Sequence, residues 1–274
     1  MTKLDQVVVG AQGSGPAAGG GRRTSRRGGQ RRGPWAAWIF VLPALAVYGF
    51  FTLQSLAKSV QYSFYSWNGI GEATWVGLAN YVEVFSDPRR VTALANAFKL
   101  IFFYSFLSIA LGLIAATLIR GLNSRWSRAS QTLLFLPQVV PLVGAGIAWT
   151  WLYSSDGAVN QFLRAIGLGE VARAWLADFT FALPAIGIVG TWVLIGLCTM
   201  LLSAGMTKID PALYDAARVD GAGPIREFFA VTLPGVRGEL TVCLTVTLIA
   251  ALANFDVVYT MTLGGPGGST MVPG

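Results

Sequence analysis

Five long stretches of this chain contain no Asp, Glu, Lys or Arg, and their positions constrain the fold more than any other feature. They cover residues 33–57, 100–119, 129–155, 179–207 and 240–255, and the last continues to about 262 if Asp256 lies near its end. An ionised side chain at bilayer depth is costly and therefore rare there, and a spanning helix needs roughly 20 apolar residues. The pattern predicts an all-α, polytopic membrane protein with five transmembrane helices, near residues 37–57, 99–119, 132–153, 181–203 and 240–262. One such run would suit the buried helix of a soluble core; five in one chain do not. A hydrophobic content of 54%, a charged content of 12% and a mean hydropathy of +0.57 agree with a membrane solvent rather than water.

Lys and Arg counts set an expected orientation, because cytoplasmic segments carry the excess. With the N-terminus inside, residues 1–36, 120–131 and 204–239 hold 14 of the 20 basic residues. An odd number of spans then places residues 264–274 outside, where the chain stops in a Gly/Pro-rich loop with no closing element. Residues 1–34 form a Gly/Arg/Ser tail with little to bury and are expected to be disordered and cytoplasmic. Its arginines, Arg22, Arg23, Arg26, Arg27, Arg31 and Arg32, suit attraction to anionic membrane lipid. They also imitate a signal sequence, but the apolar run that follows exceeds a signal h-region, and Ala44 to Ala46 lies inside it rather than after it. Nucleic-acid binding is not expected, since no aromatic residues are interleaved with these charges.

The chain has no histidine, which removes the commonest general base and metal ligand. Cys198 and Cys243 lie in apolar runs, far apart and without metal-ligand spacing. Neither a metal site nor an enzymatic centre is expected. A secondary transporter would usually carry intramembrane carboxylates or histidines for ion coupling, and only Asp256 approaches that description.

The segment between the fourth and fifth runs is the most informative. Asp210 followed by Pro211 is a helix start, because the carboxylate accepts from free N–H groups and Pro fits the first turn. A short helix is predicted to about Val219, stopped by Gly221 and Gly223. Pro224 opens a second helix, through Phe228 and Phe229, expected to end before Pro234. Leu213, Tyr214 and Phe228 offer apolar area. Ala216 and Ala217 permit close approach, and Asp215, Arg218, Asp220 and Arg226 offer charge pairs. By composition alone, a docking element and a solvated amphipathic loop fit equally well.

Here the residues resemble a known family. Asp215-Ala216-Ala217, three residues, Gly221, nine residues, then Val231-x-Leu233-Pro234 is similar to the EAA loop of binding-protein-dependent ABC importer permeases. Asp215 stands for Glu and Val231 for Ile. Further matches resemble the carbohydrate-uptake branch, the maltose and glycerol-3-phosphate type. They are Gly77-Leu78-x-Asn80-Tyr81, Asp87-Pro88, Phe135-Leu136-Pro137, Trp149, Asn160, Trp175-Leu176-x-Asp178, Phe255-Asp256 and Gly264-Gly265-Pro266.

The resemblance implies a permease domain over residues 35–274 with a coupling loop at 204–239. Leu213, Asp215, Ala216, Ala217, Arg218, Gly221, Leu233 and Pro234 would meet a dimeric ATPase subunit. It implies a second, similar permease subunit, an external or lipid-anchored solute-binding protein, and a sixth helix, before which this sequence stops. ATP and Mg would be bound by the ATPase partners, and no cofactor by this chain, which has no glycine-rich phosphate loop. The substrate would be a sugar or polyol, with glycerol-3-phosphate or its esters as the alternative. Asn254 is the first substrate-contact candidate, because an amide in an apolar helix needs a partner and its spacing from Gly264 resembles that of a sugar-contacting Asn. An interhelical hydrogen bond accounts for such an amide equally well. Trp192 and Gly196 resemble a Trp-x-x-x-Gly that would bring Trp192, Val193, Leu194 and Leu197 near the pathway.

Overall fold

The computed structural model describes residues 34–273, so the tail expected over residues 1–34 lies almost wholly outside the described residues. The helices used below are α1 Trp38–Tyr62, α2 Ala79–Ser86, α3 Pro88–Arg120, α4 Ser124–Val139, α5 Leu142–Leu152, α6 Ala158–Ala165 and α7 Ala182–Met206. They continue with α8 Pro211–Val219, α9 Pro224–Gly235, α10 Arg237–Leu252 and α11 Phe255–Thr262. Among the described residues, α1, α3 and α7 are each long and apolar enough to cross a membrane. Two bent pairs, α4 with α5 and α9 with α10, bring the number to as many as five if each pair is one span. The chain divides into two units at Tyr62. The first contains α1, whose backbone passes through a wider π turn at Gly49–Leu53.

Three of the five predicted spans take a different form. The second, predicted at 99–119, begins eleven residues earlier, because the Asp87 carboxylate accepts from the Arg89 N–H (2.9 Å) and Pro88 occupies the first turn. The third, predicted at 132–153, bends by 98° between α4 and α5. Pro141 disfavours helical geometry at the residue before it, and Val140 is extended (φ −74°, ψ 128°). The fifth, predicted at 240–262, breaks at Ala253 and Asn254, both near φ −90°, ψ +20°. Asn254 is therefore the residue before α11, not an interior position of a continuous helix.

In the second unit α7 is the central element, with sixteen buried residues. Its neighbours come close because its glycines leave room. A Cβ on Gly196 would collide with the Leu134 carbonyl of α4, and one on Gly190 would enter the Tyr104 ring of α3. Small residues at helix crossings let dispersion contacts replace the hydrophobic drive that lipid cannot supply. Two clusters fill the core. One contains Leu100, Tyr104, Tyr153, Ile186, Val189 and Val258; the other contains Ala116, Cys198, Leu202, Met206, Val236 and Cys243. Cys198 and Cys243 are free thiols, buried and adjacent across α7 and α10.

Several residues of the family-like motifs act as local fasteners. Asn80 donates to the carbonyls of Ser63 and Tyr65 (2.9 Å each), holding the short antiparallel pair Tyr65–Ser66 and Thr74–Trp75 against α2. Asn160 is fully buried. Its amide donates to the Ser154, Ser155 and Arg173 carbonyls, and its oxygen accepts from the Trp175 indole (2.9 Å). Asn96 donates to the Ser269 and Met271 carbonyls, which ties the Gly264-Gly265-Pro266 loop to α3.

Candidate coupling loop and buried polar pair

Between α7 and α10 the chain forms a helix, a tight turn and a helix, as the sequence predicts. Asp210 caps α8, accepting from the Ala212 N–H at 2.9 Å. At its far end Gly221 takes the left-handed geometry (φ +75°), and the Ala222 N–H reaches back to the Ala217 carbonyl at 2.9 Å. That six-to-one bond satisfies a helix-end carbonyl that would otherwise be orphaned. Gly223 does not stop α8; it is extended and opens α9. Nor does α9 end before Pro234, but continues to Gly235. A π turn at Phe228–Thr232, in which the Leu233 N–H bonds the Phe228 carbonyl, widens the backbone just before the proline. The ring clash that normally breaks a helix interior is relieved there.

Arg218 joins the two helices. It lies 3.5 Å from Asp215 within α8 and donates from Nε to Glu227 across the turn at 3.0 Å. Glu227 is the partner that sequence reasoning missed, while Asp220 and Arg226 have no ion pair among the described residues. The outward surface consists of Leu213 (55% exposed), Asp215, Ala216, Arg218 and Val219 (88% exposed), with Gly221 exposed at the turn. Ala217 and Leu233 are half-buried, and Pro234 is exposed.

Tyr214 does not belong to that surface. It is buried, its hydroxyl lies 3.2 Å from the Thr232 hydroxyl in α9, and the Arg120 guanidinium covers its ring at 3.6 Å from the centroid.

The second candidate region lies within the bundle. Asn254 is 2% exposed, and its Nδ2 has no hydrogen-bond partner. Near it lies the Tyr104 hydroxyl, equally buried and likewise without a hydrogen-bond partner. An unsatisfied buried polar atom costs about 1–3 kcal/mol, so two together in an apolar bundle are a costly arrangement. Of the other predicted contacts, Trp192 is the one that reaches the surface, 36% exposed and edge-on to Trp149 at 5.5 Å. Val193 and Leu194 are buried, and Leu197 is half-buried against the cluster that contains Tyr104. Tyr104 itself was not singled out from sequence. A tyrosine in an apolar run reads as an interface anchor until its neighbours are known.

The fold defines a polytopic helical membrane protein. The model of the family described as "Binding-protein-dependent transport system inner membrane component" matches residues 108–274, and the chain belongs to that family. It is 36% identical over 242 residues to "Probable ABC transporter permease protein YurN" of Bacillus subtilis (strain 168), covering 86% of this chain and 81% of that one. It is 32% identical over 236 residues to "Lactose transport system permease protein LacF" of Rhizobium radiobacter, covering 85% and 79%. The fold matches that of a bacterial ABC transporter involved in the import of the acidic polysaccharide alginate. That match has a TM-score of 0.72 at 24% identity, over 87% of this chain and 81% of that one.

Proposed function

We propose that this chain is the transmembrane permease subunit of an ATP-driven importer for a sugar or related polyol. In this reading residues 35–274 form the permease domain, the N-terminus is cytoplasmic, and the loop at 204–239 docks on a dimeric ATPase subunit that binds the ATP and Mg. The observation that carries the reading is the outward face of α8. Leu213, Asp215, Ala216 and Val219 are exposed on a helix capped at both ends and pinned to α9 by Arg218 and Glu227. A solvated loop has no need of such rigidity; a lever does. Rigid-body movement of this element on ATPase closure would drive alternating access. A solute-binding protein would deliver the substrate, and a second, similar permease subunit would complete the pathway.

The sugar class rests on relatives. One is named for lactose and another, 31% identical over 270 residues and from Streptomyces coelicolor, for diacetylchitobiose. A neutral polar solute also suits the uncharged pair Asn254 and Tyr104, with Trp192 offering an aromatic face. Asn254 is the substrate contact we assign to the pathway.

The test is uptake by vesicles carrying this chain, its partner permease and the ATPase, with the binding protein outside and radiolabelled lactose or diacetylchitobiose as probes. Accumulation of either sugar that needs ATP on the ATPase side, and survives collapse of proton and sodium gradients, supports the proposal. Accumulation driven by a gradient without ATP refutes it.

A further inference from the structure

Tyr214 sits on the helix that carries the exposed docking face, yet its side chain points the other way, into contact with two other elements. Its hydroxyl meets Thr232 of α9, itself buried. Its ring face meets Arg120, the last residue of α3. A guanidinium centred 3.6 Å from a ring centroid is in full cation–π contact, and the interaction strengthens as the ring is withdrawn from water. Arg120 has no ion pair among the described residues. Its charge is placed instead at the negative end of α3, where the helix macrodipole favours a cation.

The other end of this contact is functional in prospect. Tyr104 lies on the same helix, sixteen residues before Arg120 and so about 24 Å away along the axis. It sits within the wider π turn Phe102–Leu107, beside Asn254. One helix thus touches the docking element at its end and the buried polar pair in its interior. A cavity of about 590 Å³, lined by Thr117, Arg120, Arg218, Glu227, Phe228 and Thr232, leaves open space beside the stacked pair.

We infer that Arg120 is a positioning residue for transport: stacked on Tyr214, it makes α3 follow the docking helix and so carries ATPase closure to the Tyr104 and Asn254 region. The inference rests on the reading of α8 as an ATPase dock. A physical route of this kind requires demonstrated coupling between the two residues, not adjacency alone.

The experiment uses the assembled complex in vesicles, with a cysteine at Val91 near the start of α3. Its labelling rate by a membrane-impermeant maleimide is compared before and after trapping with ATP and vanadate. The native Cys198 and Cys243 are buried and serve as the background. The unsubstituted complex should change its labelling rate on trapping. Arg120→Gln should shrink that change by about threefold or more, the loss expected for one cation–π contact. ATPase co-purification should stay equal. Tyr214→Leu should do the same, and the double variant no worse than either alone. Arg120→Lys should restore part of the change, and Tyr214→Phe, which keeps the ring face, most of it. An unchanged response in Arg120→Gln, additive losses in the double variant, or a Tyr214→Phe as defective as Tyr214→Leu would overturn the inference while leaving the dock intact. A complex without substitution at Arg120 or Tyr214 whose Val91 cysteine ignores ATP and vanadate would also overturn this inference, since α3 would not follow closure. Failure of the dock would show instead as labelling of cysteines at Leu213 and Val219 that bound ATPase leaves unchanged.

Discussion

Helix α7 and the segment formed by α10 and α11 look alike in sequence, apolar and of similar length, but one is continuous and buried while the other is broken in its interior. Four glycines, Gly187, Gly190, Gly196 and Gly205, lie inside α7 without interrupting it. Each faces a neighbouring side chain or backbone that a Cβ would strike, so the glycines serve contact between helices rather than backbone freedom. In α10 and α11 the only glycine is Gly238, in the first turn, and the helix nevertheless stops at Ala253 and Asn254. Residue type alone therefore gives the wrong ranking of breakers. Within α7 each glycine marks where something else approaches, and between α10 and α11 the helix stops at the buried amide Asn254 without a glycine.

The largest effect that would test this contrast is expected at Gly196. Gly196→Leu places a side chain into the backbone of Leu134 and Phe135, which cannot retreat without moving α4. The cost should lie at or above the top of the roughly 1–3 kcal/mol usual for overpacking. Loss of monodisperse protein and a lowered thermal midpoint in detergent should report it. A variant as stable as the parent would mean that α4 and α7 are not held this closely.

Gly221 lies in the connection between the two segments and gives the opposite kind of glycine effect. Nothing stands within 4 Å of a Cβ there, but φ is +75°. Gly221→Val should cost about 1–2 kcal/mol of local backbone strain, loosening the turn without disturbing the bundle. Assembly should persist while sugar uptake per ATP hydrolysed falls severalfold. Normal uptake at matched expression would remove the turn from the coupling element.

Asn254 sharpens the other half of the contrast. Because its Nδ2 has no partner in the chain, Asn254→Leu should leave the thermal midpoint unchanged or raised. Uptake per assembled complex should drop about fivefold, the equivalent of one neutral hydrogen bond at roughly 1 kcal/mol. Asn254→Ala should weaken uptake less. A falling midpoint with normal uptake per complex would make Asn254 a packing residue instead.

The smallest effect concerns the ion pair between Lys208 and Glu239 (2.7 Å), which ties the residues just after α7 to the first turn of α10. Lys208 is largely exposed, so Lys208→Gln should cost less than about 1 kcal/mol, measured as a small shift of the midpoint that salt reproduces in the parent. A larger loss would mean that the two segments are joined mainly at this end.

The sequence made the apolar segments legible because charge is excluded from a bilayer, and it made α8 legible because Asp210, Pro211 and Gly221 each have a local reason to start or stop a helix. The bend at Pro141 was equally local, a proline after a residue forced to be extended, but a charge-free run from 129 to 155 hides it when only charge is read. What sequence did not show depends on contacts between distant residues. Leu213 and Tyr214 are neighbours on one helix, and nothing local says which faces outward; Arg120, far away in the chain, settles it. The appearance of Glu227 rather than Asp220 as a charge partner of Arg218 has the same origin, since the turn geometry at Gly221 decides which side chain comes round to Arg218. Tyr104 and Asn254 are likewise far apart in the chain, and only the folded bundle brings them near each other, at the break before α11.

The most direct measurement is the sidedness of α8. Single cysteines at Leu213 and Val219, both on its outward face, can be labelled with an impermeant maleimide in right-side-out and inverted vesicles. The native thiols at Cys198 and Cys243 are buried and should stay silent. If this loop couples the membrane helices to an ATPase, both positions label only in inverted vesicles, and labelling falls when the ATPase subunits are bound. Labelling from the outer face, or labelling that the bound ATPase leaves unchanged, would contradict it.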